Sequence, residues 1–440
     1  MNIFVIGCGR WGSLITWYLD HIGHHVTLYG RQSSPRMQSF LATRQNDLLT
    51  LPDSVGLTTD LRDVEQAETV IISIGSQSLR SLLAEAPMQA LRGKTVVLCM
   101  KGLEMGTGER LSVIAGSLLH ESNTVAVWLG PGHVQEFYRG IPNCMVIDSG
   151  NDAVKRRLVQ EFSSDLIRFY YGGDMIGNEV GAAAKNVVGI AAGFLDGVEM
   201  SSLKGALMSR GTREVARLIK AMGGNELSAY GLCHLGDYEA TVFSPYSHNR
   251  QFGESFIRHQ DYHRLAEGYY TVEALMVLRE KYGVELPICM AVHNILYESA
   301  DPRAELSALV RRGLRAEFDD LCPATIWAED VLFRRAARRK GRRRDFPPGK
   351  GHAYEGLPKR TAAGHVRRAG LLHSHRPVPC GRRNDRLFRP ERAPGDRGTD
   401  GHAAGAGYPA RHPHPAGGKA RAGGHPRPGG GGGDLSLIHI

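Results

Sequence analysis

The chain begins Met1-Asn2-Ile3-Phe4-Val5-Ile6-Gly7-Cys8-Gly9-Arg10-Trp11-Gly12. Asn2 to Ile6 is a short apolar run that predicts a buried strand. Gly7-Cys-Gly-Arg-Trp-Gly12 follows at once, a helical pattern runs from about Trp11 to Ile22, Gly23 ends it, and His25 to Tyr29 reads as a second strand. Strand, Gly-x-Gly-x-x-Gly, helix and strand is the context that a dinucleotide-binding fingerprint requires. In that setting Gly7 allows the tight turn, Gly9 lets backbone approach a pyrophosphate, and Gly12 lets helix and strand pack closely. The phosphates then lie at the helix N-terminus, where free N–H groups and the helix dipole favour negative charge.

The end of the second strand decides how the adenosine ribose is met. A carboxylate there would bind the 2′-hydroxyl and favour NAD. The residues are Tyr29-Gly30-Arg31, so the expectation is NAD or NADP with a lean towards NADP, Arg31 pairing with a 2′-phosphate or stacking on adenine. The plain alternative is an exposed loop arginine.

Working outward, Val55 to Thr58, Thr69 to Ile74, Thr95 to Met100, Thr124 to Leu129 and Asn143 to Ile147 read as further strands, with helical patterns between several of them. This alternation predicts an open, mainly parallel sheet. Ligands on such sheets bind off the carboxyl ends of the strands. Two strand ends run into turns with chemistry, Met100 into Lys101-Gly102 and Leu129 into Gly130-Pro-Gly-His133. Lys101 would bring a cation to bound phosphate or nicotinamide; an isolated lysine is otherwise a surface charge.

After Arg168 to Tyr171 the pattern turns almost wholly helical, to about Glu317, with apolar spacings in Ala206 to Met222, Ala266 to Tyr282 and Pro287 to Tyr297. The longest helical pattern opens with Gly177-Asn-Glu-Val-Gly-Ala-Ala-Ala-Lys-Asn186. Gly181, Ala182 and Gly189 are the helical neighbours of Lys185 on its own face. One reading is a groove of bare backbone into which a small ligand comes close. The other is close helix packing on small residues, with the lysine snorkelling to water. Apolar surroundings would lower the lysine pKa and make it a better proton donor or acceptor. Two polar knots interrupt the helices: Gly231 to Asp237, a carboxylate on a glycine-flanked turn, and Ser244 to Gly253, rich in donors.

Composition divides the chain. Residues 321–440 hold 24 Lys+Arg against 9 Asp+Glu, a net of +15, and 13 of the 21 prolines; residues 1–320 hold 30 against 36, a net of −6. The basic charge therefore gives no argument for a nucleic-acid partner. Arg, Gly, Pro, Ala and His in this mixture are what GC-rich DNA yields in the wrong frame, and Leu435 to Ile440 reads like a translated sequencing adaptor. The tail is expected to be a reading-frame artefact, or else a disordered basic arm. Seven dispersed cysteines without metal-ligand or Cys-x-x-Cys spacing point to a reducing cytoplasm and to no metal site. No signal peptide is apparent, and no apolar run approaches the ~20 residues needed to span a bilayer.

Taken in order, Gly7 to Gly12, Lys101-Gly-Leu-Glu104, Gly130-Pro131, Gly177 to Asn186, Ser209-Arg-Gly211, Leu235-Gly-Asp237, Ser247-His-Asn-Arg250, Ala266-Glu-Gly268, Val284-Glu-Leu-Pro287 and Leu314-Arg-Ala-Glu317 resemble the NAD(P)-dependent glycerol-3-phosphate dehydrogenase family over residues 1–318. The resemblance implies a Rossmann-type α/β domain (1–174), then an all-α domain like the C-terminal domain of 6-phosphogluconate dehydrogenase (175–320), commonly in a homodimer; with the composition above, the expectation is a cytoplasmic protein that neither binds nucleic acid nor inserts into membranes. It implies reversible hydride transfer between NAD(P)H and C2 of dihydroxyacetone phosphate, serving glycerol and phospholipid metabolism. It gives Lys185 and Asp237 the catalytic roles. The cofactor contacts it implies are Gly7, Gly9, Arg10, Trp11, Gly12, Arg31, Lys101, Val134, His248 and Glu267. The substrate contacts are Lys101, Gly130, Gly132, Lys185, Asp237, Ser247, His248, Asn249 and Arg250.

The departures from the family pattern cluster at the substrate phosphate. Gly132 and His133 stand where Ser or Thr and then Phe are usual, and His248 stands where an arginine is usual. An imidazole is charged only in part near neutrality, which predicts weak, pH-dependent phosphate binding, with Arg250 as the rival cation. These departures keep two alternatives in view: a related dehydrogenase of another small hydroxy acid or phosphorylated ketone, and a non-catalytic NAD(P) redox sensor.

Overall fold

The structure is a computed structural model and describes residues 1–312; Leu314 to Glu317, the end of the expected helical domain and the basic tail lie outside the described residues. The strands are β1 (Asn2–Ile6), β2 (His25–Tyr29), β3 (Gly56–Thr58), β4 (Thr69–Ile72), β5 (Thr95–Leu98), β6 (Thr124–Leu129), β7 (Asn143–Ser149) and β8 (Ile167–Tyr171). Between them run α1 (Arg10–His21), α2 (Pro35–Thr43), α3 (Leu79–Leu83), α4 (Ala86–Gln89), α5 (Leu111–Leu118), α6 (Val134–Tyr138) and α7 (Asp152–Phe162). The helical half consists of α8 (Met175–Gly197), α9 (Lys204–Ala221), α10 (His248–Ile257), α11 (Glu267–Tyr282), α12 (Pro287–Tyr297) and α13 (Pro302–Val310).

The eight strands form one sheet in the order β3-β2-β1-β4-β5-β6-β7-β8. All neighbours pair in parallel except β6 and β7, which are antiparallel. Strand side chains alternate between faces, and the two faces are covered separately. Ile3 and Val5 pack with Leu14, Tyr18 and Phe40 on one side, Phe4 and Ile6 with Leu79 and Leu111 on the other. Burial on both faces is why these strands read as continuous apolar runs. The chain leaves β1 towards β2 and β3, then returns to β4 on its other side. The end of β1 is therefore the switch point at which ligands bind in open α/β sheets, and Gly7 to Gly12 stands there.

The helical half has its own core, organised on α8, whose Gly177 to Leu195 are all buried. The small residues of α8 admit other backbone. A Cβ at Gly193 would lie 2.1 Å from the Arg250 carbonyl oxygen, and one at Gly253 would lie 2.3 Å from the Ile190 carbonyl oxygen. α8 and α10 thus touch main chain to main chain. Ala182 of α8 and Cys233 belong to a sheet-face cluster, so the helix that carries Lys185 leans directly on the sheet.

Two local expectations change. The knot Ser244 to Gly253 is half helix: Ser247 caps α10 by accepting from the Arg250 N–H at 3.3 Å. Its polar run hid the period, because only Phe252 and Gly253 of that helix are buried. The bare face of Lys185 is not an open groove: a Cβ at Gly181 would come 3.0 Å from the His234 Cβ, and one at Gly189 2.8 Å from Thr241. Packing on small residues is the arrangement found, but the lysine does not snorkel out of it.

Candidate active site

The glycine loop has the shape the fingerprint requires. Gly7 has φ +117°, and a Cβ on it would lie 2.2 Å from the Ser73 carbonyl oxygen at the end of β4. A Cβ on Gly12 would lie 1.9 Å from the Gly7 carbonyl oxygen, so any larger residue would push α1 off β1. At Gly9 nothing among the described residues lies within 4 Å of that position, and none of their side chains caps the N–H groups that open α1. The first turn of α1 carries no acidic residue. Open backbone, uncapped N–H groups and the positive end of a helix dipole fit the pyrophosphate of a dinucleotide. Arg31 follows the end of β2 and is exposed, on the side of the loop where the adenosine end would lie.

On the other side of the switch point the structure brings Lys101, Lys185 and Asp237 together. One oxygen of Asp237, Oδ2, accepts from Lys101 Nζ at 2.7 Å and lies 2.8 Å from Lys185 Nζ. Lys101 Nζ also donates to the Gly130 carbonyl, and Lys185 Nζ donates to Thr241 Oγ1 at 2.8 Å. Thr241 Oγ1 in turn donates to the Asp237 carbonyl at 2.7 Å. Burial pushes the Lys185 ammonium down to about 8; Asp237 works against that shift, and Lys101 with it. The turn carrying Asp237 is clamped to α8 by His234. Its Nδ1 donates to the Gly181 carbonyl at 2.8 Å, and its Nε2 accepts from the Tyr238 hydroxyl at 2.7 Å. Burial lowers the His234 pKa to about 4, so the ring is neutral and its tautomer is set by these bonds.

These groups line a cavity of about 150 Å³ that also includes Gly132, His133, Asn186, Ser247, His248 and Asn249. Asn249 Nδ2 donates to Asn186 Oδ1 at 3.0 Å, and Asn186 Nδ2 donates to the Lys101 carbonyl at 2.8 Å. Gly130 and Gly132 have φ +128° and +138°. A Cβ on Gly132 would lie 2.2 Å from the Phe137 ring, so Phe137 fills the place that a side chain at 132 would need. His133 sits beside Tyr246, with ring centroids 5.5 Å apart. Its Nε2 has no hydrogen-bond partner among the described residues, and burial lowers its pKa.

The remaining expected residues are placed unevenly. Trp11 packs against Phe137 at 6.0 Å between centroids. Val134 is buried at the start of α6. The Glu267 carboxylate is committed to Ser76, accepting from its backbone N–H at 3.1 Å and from its hydroxyl. It therefore ties the start of α11 to the turn after β4. His248 is not the part-time cation expected of it. Its Nε2 faces Arg10 Nη1 at 2.8 Å; a guanidinium only donates, so that nitrogen accepts and the ring is neutral. Burial, then the charges of Arg10, Arg264 and Arg36, lower its pKa. Arg250, expected among the substrate contacts, is engaged with its own neighbours here. Its guanidinium bonds Asp196 at 2.8 Å, Glu254 at 3.0 Å and the Ser244 carbonyl at 3.2 Å, and it is absent from the cavity lining. Carboxylates on α8 and α10 hold it elsewhere.

Sequence reasoning passed over Thr241 and Asn186. Thr241 lies four residues after Asp237, one helical turn on, and that spacing was the available signal for it. Asn186 follows Lys185 directly. Its link to Lys101 and Asn249 depends on long-range packing and left no local trace. Among the described residues no group of three or more His, Cys, Asp or Glu side chains is arranged to hold a metal ion, and no helix is long and apolar enough to cross a membrane.

A dinucleotide loop at the switch point, facing a buried lysine–carboxylate pair contributed by a helical second domain, defines a nicotinamide-dependent dehydrogenase class. Residues 2–155 match the profile of the NAD-dependent glycerol-3-phosphate dehydrogenase N-terminus, and residues 174–307 that of its C-terminus. The chain belongs to the NAD-dependent glycerol-3-phosphate dehydrogenase family. It is 32% identical over 335 residues to glycerol-3-phosphate dehydrogenase [NAD(P)+] of Pelodictyon phaeoclathratiforme, covering 72% of this chain and 100% of the relative. It is 35% identical over 329 residues to the enzyme of that name from Thermus thermophilus, with the same coverage. Among solved structures, it is similar to glycerol-3-phosphate dehydrogenase from Coxiella burnetii, with TM-score 0.66 and 27% identity over 71% of this chain and 99% of the other. The Plasmodium falciparum enzyme, 17% identical, shares the fold with TM-score 0.63 over 72% of this chain and 97% of the other.

Proposed function

We propose that this chain catalyses reversible hydride transfer between NAD(P)H and C2 of dihydroxyacetone phosphate, giving sn-glycerol 3-phosphate. The observation that carries the reading is the cluster of buried Lys185 and Asp237 with half-buried Lys101, in which one carboxylate oxygen holds two ammonium groups at 2.8 and 2.7 Å. The cavity it lines, about 150 Å³, has the volume of roughly five waters at ~30 Å³ each. That is the scale of a three-carbon phosphate ester.

A nicotinamide held by the Gly7 to Gly12 loop would supply or take the hydride at C2. Reduction leaves negative charge on the substrate oxygen. Lys185 meets it with an ammonium whose proton is loosened by burial, and delivers that proton; in the oxidation direction the neutral amine takes it back. Proton transfer by a positioned group contributes ~10²–10⁴-fold. Asp237 keeps the ammonium charged in a buried place and aims it, and Thr241 fixes a second of its three N–H directions. Lys101 adds positive charge beside the same oxygen, and Asn249 and Ser247 present polar groups at the far end for the phosphate.

For the cofactor we retain NAD or NADP, leaning to NADP because β2 ends in Gly30-Arg31 without a carboxylate. We place the division between the sheet and helical domains at residues 174–175, assign the cytoplasm on the five free cysteines among the described residues, and take a homodimer from the family resemblance. The test is oxidation of NADPH and NADH by the purified full chain, with and without dihydroxyacetone phosphate. Turnover that needs the phosphorylated ketone supports the reading; cofactor binding without it would sink the reading in favour of a sensor.

A further inference from the structure

The Ser247–Asn249 end of the cavity needs a cation if it is to hold a phosphate dianion, and neither obvious candidate supplies one. His248 is neutral, its Nε2 accepting from Arg10 at 2.8 Å, and its other side is engaged with the Leu265 backbone. Arg250 is held by Asp196 and Glu254. The guanidinium that reaches His248, a residue of the cavity lining, is Arg10, which stands behind that ring rather than in the lining itself and belongs to the glycine loop of the other domain, 238 residues away in sequence. It does not stand alone. Arg264, from the segment before α11, and Arg36, from the first turn of α2, act electrostatically on both Arg10 and His248, while Asp47 opposes them at Arg10. The Tyr262 side chain is buried, 9% exposed, and its hydroxyl has no hydrogen-bond partner among the described residues. The charges that act on that hydroxyl are Arg264 and Arg10. A buried donor left unpaired is costly unless an acceptor comes to it, and a phosphate oxygen is such an acceptor.

We propose that Arg10, seated on His248, is the cation of a phosphate subsite shared between the two domains, and that it takes the phosphate of the ligand in the cavity. This assignment rests on the functional reading above. In it Arg10 is a substrate-binding residue as well as a neighbour of the cofactor. His248 is a positioning residue whose lone pair aims one arm of the guanidinium and leaves the others for phosphate, and Arg suits such forked recognition.

The experiment is calorimetric titration of the full chain, saturated with NADPH, with sn-glycerol 3-phosphate and separately with inorganic phosphate. The proteins are the wild type, Arg10→Ala, Arg10→Lys, His248→Ala and His248→Gln. Arg10→Ala should weaken binding of the ester roughly ten- to hundredfold, a larger loss than it causes in NADPH affinity, and Arg10→Lys should recover part of the loss. His248→Ala should weaken it less, and His248→Gln, whose amide oxygen still accepts from Arg10, should restore it. Circular dichroism and melting curves exclude misfolded variants, and Arg10→Lys keeps the comparison if Arg10→Ala fails to fold. Unchanged ester affinity in both Arg10 variants would overturn the subsite, while dihydroxyacetone phosphate turnover would leave the functional reading standing. A loss confined to NADPH affinity would make Arg10 a cofactor residue and likewise overturn it. If the wild type binds inorganic phosphate through Arg10 but not the ester, and dihydroxyacetone phosphate is not turned over, the subsite stands and the functional reading fails. If it binds neither, the subsite falls, and the functional reading falls with it where turnover is also absent.

Discussion

Lys185 Nζ and Asp237 Oδ2 lie 2.8 Å apart, with side chains 8% and 2% exposed. A charge pair so far out of water keeps both members ionised only by each other, and removing one leaves the other uncompensated. Here the pair is asymmetric. Asp237 has a second ammonium, Lys101, at 2.7 Å, whereas Lys185 has no other carboxylate among its described ion pairs.

That asymmetry gives different costs for the two partners. Lys185→Met should fold nearly as well as the parent, since Asp237 keeps Lys101, and should bind cofactor normally while kcat falls ~10²-fold or more. Asp237→Ala leaves two ammonium groups facing each other and should cost about 3–5 kcal/mol of stability. Chemical denaturation with steady-state kinetics checks both; equal loss of stability in the two variants would show that the pair is not ordered as described.

The pH dependence of turnover follows the Lys185 proton. Ketone reduction needs the ammonium, so its rate should fall as pH rises through about 8, while alcohol oxidation needs the neutral amine and should rise through the same range. Asp237→Asn removes the group that supports the charge and leaves burial and Lys101 to oppose it, so both limbs should move to lower pH. Profiles of kcat recorded in both directions decide this. A limb that stays in place in Asp237→Asn would assign the titration to another group.

Gly132 should not tolerate a side chain. Its φ of +138° and the Phe137 ring 2.2 Å from a Cβ predict that Gly132→Ala loses about 1–3 kcal/mol. Gly132→Ala combined with Phe137→Leu should recover part of the steric share, though not the backbone strain. Melting curves of the single and double variants would reveal additive losses if ring and Cβ do not meet.

His248 is held neutral by burial and by Arg10, Arg264 and Arg36, against the Leu265 backbone contact. The KM for dihydroxyacetone phosphate should therefore follow the same pH curve in the wild type and in His248→Gln between about pH 5.5 and 7.5, the range in which an ordinary histidine of pKa ~6.5 loses its charge. Curves that diverge there would mean that the imidazole titrates in the working protein.

Much of this arrangement was legible beforehand, for identifiable reasons. The sheet was readable because β1, β4 and β5 are buried on both faces and so appear as unbroken apolar runs, and β1, β2 and β6 were bounded to the residue. Lys185 and Asp237 stood out through the small residues and glycines around them. What local pattern could not give were partners chosen by packing. The link from Arg10 to His248 spans 238 residues, and Arg250 reads as a free cation until Asp196 and Glu254 are brought beside it. The antiparallel entry of β7 has no signature in the strand itself, because parallel and antiparallel neighbours bury the same side chains. The Phe137 ring behind Gly132 explains a glycine that sequence alone presented only as a departure.

The contact of α8 with α10 through Gly193 and Gly253 sets a length. Lys185 belongs to one helix, and Ser247 to Asn249 stand at the head of the other, so the span from the proton donor to the phosphate end is gauged by bare main chain meeting main chain. Two alanines there would spread the gauge by about the thickness of a methyl group on each side, and the pocket would begin to measure a longer carbon chain.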